Sequence, residues 1–141
     1  MKQLTIEAAT ENIETVTSFV IKELESYNCP LKAQTQIAVA IDELFGNIAQ
    51  YAYTPEIGDA TVQLDVEENP LSVIITFIDN GVPFNPLEKK DPNIHESVGK
   101  RKIGGLGIYI VKKTMTMVDY EYKDGQNILT VKKNFEETPK K

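Results

Sequence analysis

Glu43 and Asn47 stand four residues apart in the stretch IDELFGNIAQYAY, residues 41–53. That spacing puts both side chains on one side of a helix. A carboxylate and an amide oxygen on one face supply oxygen ligands for a hard cation and a base within reach of a proton. Two polar residues beside an apolar stripe also fit an ordinary surface helix, and the pair by itself does not separate these readings.

Two further constellations lie downstream. In FIDNGVPFNP, Asp79 closes an apolar run and Gly81 follows in a tight turn. A carboxylate there, next to a glycine that lets a flat ligand approach the backbone, can accept a hydrogen bond from an exocyclic amine such as that of adenine. An Asp-Asn-Gly turn requiring positive φ is an equally common reason for the same residues. In GGLGIYIVKK, Gly104, Gly105 and Gly107 precede or open a helix. Unpaired N–H groups and the positive end of the helix dipole then face one space, an arrangement that holds phosphate. The segment is neither a P-loop, since no Gly-Lys-Ser/Thr follows, nor the dinucleotide fingerprint of a strand-loop-helix unit. Between the last two constellations lie 23 residues, Gly81 to Ile103, with three prolines and no sustained periodicity. Loops of that length are either functional lids or disordered. This one carries Lys89, Lys90, Lys100, Arg101 and Lys102, cations able to cover phosphates on closure.

The elements that must position these residues follow from periodicity. QLTIEA alternates as a short first strand. A helix from about Thr10, with Thr10 as N-cap, carries Ile13, Val16, Val20 and Leu24 at helical spacing. YNCPL breaks it, and a second helix runs from roughly Leu31 to Tyr53 with Ile37, Ile41, Leu44, Ile48 and Ala52 along one side. ATVQLDVEE reads as a half-exposed strand and LSVIITFID as a more buried one, joined at Asn69-Pro70. After the lid, of about residues 82–103, GGLGIYIVKKTMTMV restarts a helix. VDYEYKDGQNILTVKKNF closes as a hairpin turning at Asp124-Gly125. Strand, two helices, two strands, lid, helix and two strands predict an α+β two-layer sandwich, with helices on one face of a mixed, mostly antiparallel sheet.

Composition sets the outer bounds. The chain has 141 residues, 41% hydrophobic and 26% charged, as expected of one globular domain spanning residues 1–141. No apolar run approaches the ~20 residues of a membrane span. The N-terminus lacks the apolar core of a signal peptide, and Cys29 has no partner for an internal disulfide; both point to the cytoplasm. A net charge of −6 argues against a nucleic-acid partner. His95 reads as a solvated lid residue, Met115 and Met117 as packing, Tyr120 and Tyr122 as cross-strand pairs, and Lys132-Lys133 as solvated ends.

In this order, ELFGN, DNGVPF and GGLGIYIV resemble the N, G1 and G2 boxes of the Bergerat-fold (GHKL) ATPases, the superfamily of gyrase, Hsp90, histidine kinases and MutL. The chain is most similar to the stand-alone serine/threonine kinase branch, the bacterial anti-sigma factors of stress response and sporulation. The likeness runs from about Leu31 to Lys133 and includes the strand Asn127-Ile-Leu-Thr130. Tyr51 stands where that branch often has His. The resemblance implies ATP and Mg²⁺ as cofactors. It implies Asn47 as the Mg²⁺ ligand and Glu43 as the base acting on a serine hydroxyl or water. Asp79 would bind the adenine amine, with Gly81 beside the ring. Gly104, Gly105, Leu106 and Gly107 would meet the phosphates, and Thr130 would support the adenine end. Gly46 would keep the helix wall low where Mg-ATP sits.

The function so implied is an anti-sigma regulatory kinase. It would bind a sigma factor, phosphorylate a STAS-type anti-anti-sigma protein, and pair as a homodimer in some members. An ATP-binding regulatory module without turnover, and a detached histidine-kinase catalytic domain, are the alternatives.

Overall fold

The computed structural model describes residues 1–88 and 106–136. The lid residues from 89 to 103 fall outside the described residues, with the cations named above and His95; so do Gly104 and Gly105. The chain begins with β1 (Lys2–Glu7), followed by helices α1 (Ile13–Ser26) and α2 (Leu31–Tyr51). Next come β2 (Asp59–Glu67) and β3 (Ser72–Asp79), then α3 (Leu106–Thr114), β4 (Met117–Lys123) and β5 (Gln126–Asn134). The strands form one sheet in the order β1-β2-β3-β5-β4.

This is the α+β arrangement expected, with one correction. Every pairing among the described strands is antiparallel, so the sheet is not mixed. The connections explain it: β2–β3 and β4–β5 are direct returns, and the segment through α3 delivers β4 to the edge so that β5 comes back alongside β3. The β4–β5 turn has Asp124 and Gly125 both at positive φ, 53° and 77°, the geometry of a two-residue hairpin.

Alternation along the central strands decides which face is covered. Val73, Ile75, Phe77 and Asp79 of β3, and Asn127, Leu129, Val131 and Lys133 of β5, are buried on one side. Against them pack Val16, Val20 and Leu24 of α1, Ile37, Ile41, Leu44 and Phe45 of α2, and Ile108 and Val111 of α3. The spacing of three and four residues in each helix is what gathers these side chains into one stripe. Thr76 and Thr130 sit opposite one another on the half-buried far face.

Several boundaries differ from those expected. Thr10 does not cap a helix, because Thr10–Asn12 form a 3-10 turn and Asn12 Nδ2 donates to Glu7 O at 2.9 Å. Helix α2 stops at Tyr51 rather than Tyr53. The Tyr53 hydroxyl is held elsewhere, donating to Asp59 O at 2.7 Å and accepting from Asn80 N at 2.8 Å. The lysine pair of β5 is not a solvated end. Lys132 pairs with Glu67 at 3.2 Å, and the buried Lys133 donates to Thr114 O, at the C-terminal end of α3, at 2.6 Å. That is where a cation suits the helix dipole. Met115 packs in the core as expected, whereas Met117 is exposed. Among the described residues no helix is long and apolar enough to cross a membrane.

Candidate functional site

Helix α2 runs across the covered face of the sheet, and its C-terminal half meets the ends of β3 and β5. There Leu44, Asn47 and Ile48 of α2, with Ala52 just past its end, line a small pocket together with Phe77, Asp79, Phe84, Pro86, Tyr120, Asn127 and Leu129. The enclosed volume is about 20 Å³, room for one water molecule. Its lining is apolar except for a few convergent polar groups, which is the usual make-up of a small-molecule site.

Asp79 is 3% exposed and ends β3 on the covered face. Its Oδ1 accepts from Gly81 N and from Asn127 Nδ2, both at 2.9 Å. Among the described residues its Oδ2 accepts nothing, which leaves one carboxylate oxygen to read a donor. One of the two reasons expected for Gly81, a turn at positive φ, does not apply. A Cβ on this glycine would lie 2.2 Å from the Ala52 carbonyl oxygen. The close approach it permits is that of the turn to the end of α2, where Val82 N donates to Ala52 O at 3.0 Å.

Glu43 and Asn47 do share a side of α2. Asn47 is a buried lining residue rather than a boundary one, at 8% exposure. Its Nδ2 points to Glu43 Oε1 at a long 3.5 Å, so the amide oxygen is the atom available to a cation. Glu43 in turn reaches the first turn of α3, where a Cβ on Gly107 would lie 2.1 Å from its Oε2. The carboxylate therefore occupies the space that glycine leaves, and two of the three sequence constellations meet by this contact. Leu106, the first residue of α3, is exposed.

Two expectations are overturned. Gly46 does not shape the pocket: a Cβ there would meet only Ile13 Cδ1, at an ordinary 3.8 Å. Thr130 is on the wrong face of β5, since strand alternation turns it away from Asp79. The β5 residue that reaches the pocket is Asn127. Tyr120 also belongs to the site rather than to a simple cross-strand pair, its hydroxyl donating to Asn127 Oδ1. Burial raises the Tyr120 hydroxyl above the ordinary phenol range, and the Asp79 charge adds to this, so it stays a donor at neutral pH. Phe84 stacks on Tyr51 with ring centroids 5.2 Å apart. Alternation placed Asn127 and Tyr120 on the covered face in the sequence already, but only the β3–β5 register opposes Asn127 to Asp79.

Comparison with known proteins places the fold in a family. Over 95 residues the chain is 27% identical to the serine/threonine-protein kinase BtrW of Bordetella bronchiseptica, covering 67% of this chain and 66% of that protein. It is 30% identical over 98 residues to the serine-protein kinase RsbW of Bacillus mycoides, and 31% to that of Bacillus cereus. Those two matches cover 67% of this chain and 60% of each relative, so the likeness spans less than two thirds of the relatives' length. The pattern of the histidine kinase-like ATPase domain matches residues 6–133, nearly the whole described fold and every element that lines the pocket. The chain belongs to the histidine kinase-like ATPase domain family.

Proposed function

We propose that the chain is an ATP-dependent protein serine/threonine kinase that serves as an anti-sigma regulatory factor. It binds a sigma factor in the cytoplasm and phosphorylates a small STAS-type anti-anti-sigma protein. The observation that carries this reading is the meeting of Glu43 with the first turn of α3, beside a pocket lined by Asn47 and Asp79. Candidate groups for base recognition, cation binding and phosphate binding then lie around one cleft, and positioning of this kind is most of what phosphoryl transfer asks of a protein. The names of the relatives add support for kinase activity toward serine or threonine.

In this reading Asp79 Oδ2 accepts from the adenine amine, and the apolar lining takes the ring. The pocket as it stands has room for about one water molecule, so the Phe84 and Pro86 side chains turn aside to admit the ring while the Phe84 N–H keeps its bond to Asn127. The donor set suits Mg²⁺ held chiefly by phosphates and water, with the Asn47 oxygen as the protein ligand. No cage of three acidic, His or Cys side chains occurs among the described residues. The metal would neutralise charge on the transferred phosphoryl group. Glu43 takes the proton of the incoming serine hydroxyl as its oxygen bonds to phosphorus and the bond to ADP breaks. The glycine-opened start of α3 supplies N–H groups to the phosphate oxygens.

The test is Glu43→Gln, assayed with the ATP and serine-bearing partner of the wild type. Transfer should fall by about 10²–10⁴-fold, the usual contribution of a general base, while nucleotide affinity is kept. Undiminished transfer removes Glu43 from the role of base. Wild-type chain that binds ATP but never transfers it is a nucleotide-set binding module. An acid-labile product means transfer to histidine.

A further inference from the structure

Asn127 has no place in the reading above, yet it is the most completely bonded side chain near the pocket. Its Nδ2 donates to Asp79 Oδ1 at 2.9 Å and to Val82 O at 2.8 Å. Its Oδ1 accepts from Phe84 N at 3.0 Å and from the Tyr120 hydroxyl. Two donors and two acceptor positions are all that an amide has, and all are used. The network also fixes the amide's orientation, because a flip would turn its oxygen onto the Asp79 carboxylate and the Val82 carbonyl. At 5% exposure the side chain has no alternative partner in solvent.

We propose that Asn127 is a positioning residue that gives the pocket its preference for a purine bearing an amine, and that it latches the root of the lid over that purine. This deepens the adenine-nucleotide reading and rests on it. Asp79 Oδ1 is taken by the Gly81 and Asn127 N–H groups, which fixes the carboxylate plane and leaves Oδ2 as the oxygen that meets the ligand. Without the Asn127 donor the carboxylate can turn about its last bond, and the amine loses a fixed acceptor. The same amide grips Val82 and Phe84 from both of its ends, so the backbone that closes the pocket is tied to the group that reads the base. A ligand that engages Asp79 steadies Asn127, and through it the closed position of Phe84.

The experiment compares Mg-ATP with Mg-purine riboside triphosphate, which has hydrogen in place of the 6-amino group, by calorimetry on the full chain. The wild type should favour ATP. Asn127→Leu keeps the approximate volume but loses both donors, and should weaken ATP by about tenfold or more while bringing the two nucleotides to near-equal affinity. A merely structural role would lower both alike, and that result overturns the proposal, as does an unchanged preference. If the wild type takes up neither nucleotide, the adenine-nucleotide reading itself falls and the proposal goes with it. Amide exchange in the wild type decides the matter should the variant fail to fold. The Phe84 N–H should slow more with ATP than with the analogue; equal slowing rules the latch out.

Discussion

The two ends of the site are built differently. At the base end, Asp79 and Asn127 are buried, face each other across paired central strands, and bond to one another and to the turn after β3. At the phosphate end, Glu43 is only half-buried, holds Asn47 by a 3.5 Å contact and rests in the gap left by Gly107. The difference matches the work that the proposed function gives to each end. Recognition of a flat ring gains from fixed donors and acceptors whose cost of ordering is met on folding. A base that must receive a proton and then release it needs a side chain free to adjust. On the proposed function, rigidity lies where the ligand would be chosen, and freedom where bonds would change.

That contrast can be attacked from both ends. The largest effect should come from Gly81→Ala, whose Cβ would collide with the Ala52 backbone rather than with a movable side chain. Denaturant unfolding should show a loss of about 3 kcal/mol, the upper range for overpacking; a loss below 1 kcal/mol would mean that the base end yields more than its bonding implies. Asp79→Asn comes next. It should weaken ATP binding by roughly 2 kcal/mol, about 30-fold, read by calorimetry, with the fold intact. For Gly107→Ala the nearest atoms are those at the far end of the Glu43 side chain, which can swing away. Stability should change little, while transfer falls about tenfold through misplacement of the base. A large stability loss here would erase the distinction between the ends.

The smallest effect is expected of Tyr120→Phe, which removes one donor to Asn127 at a cost of about 1 kcal/mol at neutral pH. This hydroxyl is raised by burial above its unfolded value of about 10. Its contribution is therefore complete below that pH and is lost as pH climbs through the higher folded value. The wild type should accordingly lose stability above pH ~10, and the Phe variant should lose less of it, in thermal melts across alkaline pH.

The same contrast separates what could be read from the sequence. The layered α+β architecture was legible, because helical and alternating periods each imply one buried face, and Asp124-Gly125 marks its hairpin without ambiguity. Glu43 and Asn47 were legible as a pair through their spacing of four. Asn127 was not, since its importance depends on which strand lies beside β3, and pairing across 48 positions leaves no local trace. Thr130 was misplaced by one step of alternation, which sends a side chain to the other face of a sheet. Gly46 was given a reason at the pocket because a helix-weakening residue invites one; its Cβ direction faces Ile13 instead.

The bond from Val82 N to Ala52 O joins the last turn of α2 to the first residues of the lid. Helix ends ordinarily fray on their own, one turn at a time. Here the fraying of one strip of chain undoes the other, so heat or denaturant should release them as a single cooperative unit. The exchange rate of one amide, that of Val82, then serves as a thermometer for both.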